Sequence, residues 1–268
     1  MGNGFRQSFR SLATQDYAGT RKLWCKIVDA GVMIVAELGT VYAADDPADR
    51  VRIILEHAKA ASECGVDAVK VQLFVPDEPL FCSMPGDDAR WERWRKTHLT
   101  LEQWRKIKII CETDYKIDLF ASAFQLTGVD WCNELGFKWH KVASRASYTY
   151  PWLKLTPKTM VFVSGVLDRV AGQNELCIKR LHCVSSYPVT LDTARWPTET
   201  WSSDGLSDHS GTPWPSLDAL ARGAEIIEVH FALDKNMAGP DKPVCLGPEQ
   251  LKLICDFRNA LREMRCSV

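Results

Sequence analysis

The chain has 268 residues, 46% hydrophobic and 25% charged, with 33 Lys+Arg against 34 Asp+Glu. That balance leaves no basic excess for a nucleic-acid surface, and the sequence has no apolar run long enough to span a bilayer as a helix. The ten cysteines form no Cys-x-x-Cys pair, so they read as reduced thiols of a cytoplasmic protein rather than a disulfide framework or a zinc knuckle.

Residues 1–22 are polar, lack a signal-peptide core and read as a leader arm; 23–268 read as one domain. Leu23–Val28 reads as a hairpin strand across the bottom of a barrel. After the turn Asp29-Ala-Gly31, Met33–Leu38 is an apolar strand carrying Glu37 at its end. A carboxylate there is rare in a core and common at a site. Asp46-Pro47 opens a helix to about Cys64, with Val51, Ile54, Leu55, Ala58 and Ala61 on one stripe. Ala68–Leu73 is the second strand, and its alternation puts Lys70 and Gln72 on one face. A lysine facing a core needs an anion, so one ligand could satisfy this lysine and the later Lys141 together. Phe74–Thr97 is a long connection of the kind that carries function, with Trp91 and Trp94 as packing groups.

Thr100-Leu-Glu-Gln103 has the capping-box pattern and starts a helix to about Tyr115. Asp118–Ala123 is the third strand, with Ser122 near its end. Val129–Leu135 is a short helix. Trp139–Ala143 is the fourth strand, with Lys141 inside it and Ser144 just beyond. A short helix at Pro151–Leu155 precedes the fifth strand, Thr159–Ser164. The brief segment Asp168–Leu176 leads to the sixth, Ile178–Val184, which ends in Ser185, Ser186 and Tyr187. Pro188–Trp196 holds a helical turn.

Leu206–His209, Ser216–Gly223 and Ile226–Phe231 then read as strand, helix, strand. Alternation puts Ser207 with His209, and Glu228 with His230, on one face. In a βαβ unit the two strands are parallel neighbours, so both imidazoles emerge at the same end and could share one divalent metal. Two separately hydrogen-bonded histidines are the plainer alternative. Gly247-Pro-Glu249 starts a last helix to about Met264.

Eight strands with helices between most of them make an α/β chain, a (β/α)8 TIM barrel with an N-terminal hairpin extension. The polar residues fall at strand C-termini, where such a barrel builds its site. Two lysines and several hydroxyls would cradle a phosphate and a carboxylate, and Glu37 would act as a base or hydroxyl acceptor. The residues thus suggest metal-assisted chemistry on a small phosphorylated anion.

Ala36-Glu-Leu-Gly39, Ala68-Val-Lys-Val-Gln72, His140-Lys-Val-Ala-Ser144, Leu181-His-Cys-Val-Ser-Ser-Tyr-Pro188, Gly205-Leu-Ser-Asp-His209, and Glu228-Val-His-Phe231 with Gly239-Pro-Asp241 together resemble the N-acetylneuraminate (sialic acid) synthase family. The match runs from about Val32 to the last helix. The resemblance implies a cytoplasmic transferase that condenses phosphoenolpyruvate with N-acetylmannosamine or a related amino sugar, using manganese or magnesium. It assigns His209 and His230 to the metal and to catalysis, and Glu37 to acid/base chemistry and the sugar. Lys70, Ser122, Lys141, Ser144, Ser185 and Ser207 match the phosphoenolpyruvate positions. Gln72, Tyr187 and Asp241 match sugar positions, and Asp87 matches a sugar-contacting Asn.

The sequence also departs from the family pattern. Ser122 and Ser185 stand where the family usually has Thr and Asn. Val41-Tyr42 replace an Asn-His pair, Ser144-Arg145-Ala146 replace Ser-Gly-Glu, and Ser164-Gly165-Val166 stand for Ser-Thr-Gly-Met. The chain ends at Val268, so the family's antifreeze-like domain, which reaches across a homodimer, is expected to be missing, with the Phe74–Thr97 segment or a separately encoded partner as a substitute lid. Two other readings stay open: a non-catalytic or regulatory ligand-binding barrel, and a related phosphoenolpyruvate–aldose synthase with a different acceptor.

Overall fold

The computed structural model describes residues 32–147, 149–151, 154–155, 160–164, 177–192 and 203–266. The leader arm 1–22, the hairpin strand 23–28 and the connection 168–176 lie outside the described residues. The expected short elements at 151–155 and 188–196 fall partly outside them.

Eight parallel strands close a barrel in sequence order. They are β1 (Met33–Glu37), β2 (Ala68–Leu73), β3 (Asp118–Ala123), β4 (Trp139–Val142), β5 (Met160–Ser164), β6 (Cys177–Cys183), β7 (Gly205–Asp208) and β8 (Ile226–His230). The described helices are α1 (Pro47–Cys64), α2 (Asp87–Arg95), α3 (Leu101–Thr113), α4 (Leu126–Glu134), α5 (Trp214–Ala221) and α6 (Pro248–Cys266). β1, β4, β5, β7 and β8 are buried along their whole length, as parallel strands covered on both faces must be. This is the (β/α)8 barrel that the strand count implies. Among the described residues no helix is long and apolar enough to cross a membrane.

Local chemistry sets the helix ends. Asp46 caps α1 by accepting from Ala48 N at 2.8 Å, Pro47 sits in its first turn, and left-handed Gly65 (φ 95°) closes it. Thr100 and Gln103 form the expected capping box on α3. α4 starts at Leu126 rather than at 129, with an exposed Leu126 in its first turn. α5 starts at Trp214, ahead of the expected position 216, with Pro215 in its first turn.

The segment 74–97 is not a plain connection, since it contains α2. The sequence Asp87-Asp-Ala-Arg-Trp-Glu-Arg-Trp-Arg95 carries charge nearly all round and shows no apolar stripe. Its helix is held by tertiary contacts instead. Trp94 stacks on Phe74 at 4.6 Å between centroids, and Phe74 stacks on Phe124 at 4.8 Å. Arg93 reaches from α2 to Thr40 Oγ1 and Thr40 O, both at 2.8 Å, and to Met237 O. A Cβ at Gly239 would lie 2.5 Å from the Arg93 guanidinium carbon, so only glycine lets that arginine through. Arg93 therefore ties α2 to the loops after β1 and β8, at the C-terminal mouth of the barrel.

Candidate active site

The register places the polar strand ends side by side. Glu37 pairs with Lys70 on one side and His230 on the other. Gln72 pairs with Ser122, Ser122 with Lys141, and Ser207 with Glu228. All point into one cavity of about 480 Å3 at the barrel mouth. At its floor Glu37, Lys70, Lys141, Ser207 and Glu228 are each at most 4% exposed.

Glu228 is the anion the two lysines share. Its Oε1 lies 2.7 Å from Lys141 Nζ and 3.6 Å from Lys70 Nζ, and accepts the Ser207 hydroxyl at 2.9 Å. Lys70 Nζ also meets Glu37 Oε2 at 2.5 Å and donates to Ser122 Oγ at 3.1 Å. This corrects the expectation that an incoming ligand alone would satisfy both lysines. The chain supplies its own counter-anions, because a charge taken out of water must be paired.

The two buried carboxyls are driven apart. Burial raises the Glu37 carboxyl and outweighs the pull of Lys70. Its Oε1 accepts from Gln72 Nε2 and from Gly39 N, both at 3.1 Å. Burial would raise Glu228 too, but Lys141 and Lys70 together outweigh it and hold Glu228 well below the usual carboxylate range. One carboxyl of the pair is thus poised to carry a proton while the other stays ionised. Asp241 is pushed up to about 7 by burial first and by Glu37 next. It packs so closely on Gly39 (φ 54°) that a Cβ there would come within 2.6 Å of Asp241 Oδ2.

His209 and His230 stand at the ends of β7 and β8 with ring centroids 5.3 Å apart. His209 lies one residue beyond β7, not within it. His209 Nδ1 lies 2.9 Å from Val184 O and so carries the proton, which leaves Nε2 as an acceptor for the Tyr187 hydroxyl at 3.1 Å. Tyr187 also stacks on the His209 ring at 4.4 Å. Burial lowers His209 to about 4 and holds His230 well below the usual imidazole range, so both rings are neutral near pH 7. Buried His230 Nδ1 has no hydrogen-bond partner among the described residues. Two neutral imidazoles, one fixed in its tautomer and one with an unmet nitrogen, fit a divalent cation. Among the described residues no third His, Cys, Asp or Glu joins them, so the rest of the shell would come from water or substrate oxygens.

Ser122, Ser144, Ser164, Ser185 and Ser207 line the same cavity as the lysines. Ser185 donates to Ser144 Oγ at 2.8 Å. Apart from Asp87, every expected site residue, including Gln72, Tyr187 and Asp241, lines this one cavity. Asp87 does not offer a free carboxylate: its oxygens lie 3.1 and 2.5 Å from Arg145 Nη1 and Nη2. Tyr42, at the Asn-His departure, is buried beneath the site and donates to Gln72 O at 2.7 Å. Sequence reasoning noted Glu228 only as a strand-end carboxylate and gave Ser164 no role. Ser164 Oγ is buried beside the Cys183 thiol and lines the cavity.

The fold and cavity define a barrel with a lysine–carboxylate centre beside a histidine pair. The chain belongs to the NeuB family, whose sequence profile matches residues 57–267. It is 29% identical over 253 residues to the N,N'-diacetyllegionaminic acid synthase of Campylobacter jejuni, covering 83% of this chain and 74% of that one. It is 30% identical over 263 residues to the spore coat polysaccharide biosynthesis protein SpsE of Bacillus subtilis, covering 85% and 67%. The N-acetylneuraminic acid synthetase of Leptospira borgpetersenii, solved with citrate, superposes with a TM-score of 0.64 over 87% of this chain and 85% of that one, at 20% identity. That likeness speaks to fold alone.

Proposed function

We propose that this chain is a transferase that condenses phosphoenolpyruvate with an open-chain amino sugar of the N-acetylmannosamine type, giving a nonulosonic acid and phosphate. One observation carries the reading: two buried lysines share one ionised carboxylate, Glu228, among serine hydroxyls and next to a carboxyl, Glu37, raised by burial. An anion larger than a carboxylate, entering from the mouth, meets both ammoniums and the hydroxyls of Ser122, Ser144, Ser164, Ser185 and Ser207. A phosphate with an adjoining carboxylate suits that donor set. The names of the synthases this chain resembles support the same reaction class.

His209 and His230 hold the manganese or magnesium ion in this reading. Bound there, the cation supplies polarisation of the sugar's aldehyde oxygen. Gln72, Tyr187 and Asp241 orient the sugar so that its C1 faces C3 of phosphoenolpyruvate. The C3 electron pair forms the new C–C bond, and the aldehyde oxygen takes a proton from Glu37 to become a hydroxyl. Water adds to the electron-poor C2 and gives one proton back to the Glu37 carboxylate. Phosphate, its charge held by Lys70 and Lys141, then leaves with the C–O electron pair and the C2 hydroxyl proton, leaving the C2 ketone.

The test is phosphate release from phosphoenolpyruvate across a panel of amino sugars, with product mass determined. Sugar-dependent release with a condensed product supports the reading. Sugar-independent hydrolysis, or no release with any sugar and either metal, refutes it.

A further inference from the structure

The chain after β6 lays one side chain over the histidine pair. The Tyr187 ring stacks on His209, with centroids 4.4 Å and planes 29° apart, and meets His230 edge-on at 5.9 Å and 75°. Its hydroxyl donates to His209 Nε2 at 3.1 Å. His209 Nδ1 is committed to Val184 O at 2.9 Å, so Nε2 is the only nitrogen of that ring with a lone pair to give. Tyr187 therefore holds the one atom through which His209 can bind a cation. A hydroxyl hydrogen and a divalent cation cannot share one lone pair.

The contact is made by a side chain on a fixed backbone. Ahead of Tyr187, Val184 O accepts from the His209 ring, and Ser185 Oγ donates to Ser144 Oγ at 2.8 Å. Behind it, Val189 N donates to His209 O at 2.9 Å. The same histidine thus anchors the chain on both sides of the tyrosine, and the backbone has no slack with which to carry the ring away. The side chain does have room. Tyr187 is 46% exposed, whereas His209 and His230 beneath it are buried. Rotation about its side-chain bonds takes the phenol off His209 and into the cavity that both line. What rotation loses is one neutral hydrogen bond and one ring stack, and a cation at the pair binds more weakly by that amount.

We infer that Tyr187 is a gate on the histidine pair: its phenol must turn off His209 Nε2 before a divalent cation binds there, and the turned phenol is then free to meet the acceptor sugar. The inference rests on the cation and sugar roles proposed above, and it adds an order to them. With Tyr187 on His209, the nitrogen for the cation and the hydroxyl for the sugar are both withheld. Cation and sugar favour the same turned position of one side chain, so each strengthens the binding of the other.

The test uses Tyr187→Phe, which keeps the ring and removes the hydroxyl. Manganese is titrated into chelator-treated wild type and variant without substrates, and binding is read by isothermal titration, with His209→Ala as the control that places the ion. Tyr187→Phe should bind manganese about two- to tenfold more tightly, the span of one neutral hydrogen bond that no longer has to be broken. In wild type labelled with 3-fluorotyrosine, the fluorine resonance that Tyr187→Phe lacks should shift when diamagnetic magnesium is added, and should stay in place in His209→Ala. Equal or weaker manganese binding by Tyr187→Phe overturns the gate, as does a Tyr187 resonance that saturating magnesium leaves unmoved; either result leaves the histidine pair standing as a cation site. No manganese binding by wild type, or undiminished binding by His209→Ala, overturns the cation site and the gate with it.

Discussion

Replacing Glu228 with Gln tests whether this carboxylate holds the lysine centre together. Lys141 Nζ lies 2.7 Å from Glu228 Oε1, and both groups are buried. At an effective dielectric of about 20 that contact is worth roughly 6 kcal/mol of Coulomb attraction, most of it offset by desolvation. Glu228→Gln keeps the shape and a hydrogen bond for Ser207 but removes the charge. Lys70 retains Glu37, while Lys141 is left without a carboxylate. Burial already lowers the Lys141 ammonium in the intact protein. Without Glu228 it sheds its proton on folding at neutral pH. From a free lysine near pKa 10.4, that costs about 4–5 kcal/mol at pH 7, in line with the roughly 3–5 kcal/mol for breaking a buried pair. The pH dependence is the sharper signature. The unfolded variant binds one more proton than the folded one between the lowered lysine pKa and about 10.4, so its stability rises with pH by about 1.36 kcal/mol per unit. The deficit against wild type should shrink to about 2 kcal/mol at pH 9. Urea unfolding of both proteins at pH 7, 8 and 9, with chelator present, measures it. A deficit below about 1 kcal/mol at pH 7, or one that stays constant to pH 9, refutes the reasoning.

Lys141→Met should weaken phosphoenolpyruvate binding by about 2–4 kcal/mol and leave sugar affinity nearly unchanged, as isothermal titration with each ligand would read. Chelation should abolish turnover, with manganese or magnesium restoring it; full activity of demetallated protein would remove His209 and His230 from their role. Cation and phosphoenolpyruvate should strengthen each other's binding by one common factor, measured by titrating each in the presence of the other. Asp241 has a folded pKa of about 7 against an ordinary value of 3.8, so the folded state holds the extra proton and stability falls as pH rises from about 4 through 7. Asp241→Asn should therefore raise stability by about 1–3 kcal/mol at pH 8, discounted for partial exposure, and change little at pH 4. Equal gains at both pH values in thermal melts would count against that account.

The barrel was legible because each strand is apolar and short, and because caps such as Asp46, Thr100 and Gly65 are written in local residues. α2 was not. Its residues show no stripe, and what holds the helix is remote: Phe74 and Phe124 under Trp94, and Thr40 and Met237 around Arg93. A period of 3.6 residues records only the contacts that one face makes along its length. A helix pinned at a single tryptophan and a single arginine leaves no such record.

The site follows the same division. Lys70, Lys141, His209 and His230 stood out because an ionisable group among apolar neighbours has few reasons to be there. Alternation along one strand then told which of them face inward. What alternation cannot tell is which groups meet across strands, since that depends on the register around the closed barrel. Ser207 lies opposite Glu228, and Glu37 opposite Lys70, only because each strand is staggered against the next. That stagger brings Glu228 to Lys141 across 87 residues of sequence, and Asp87 to Arg145 across 58. The first contact turns two isolated lysines into a charge-compensated centre. The second takes a carboxylate that resembled a sugar ligand and pairs it with an arginine. Each residue type suggested its chemistry from sequence, but the partner that decides its protonation or its availability came from the closed sheet.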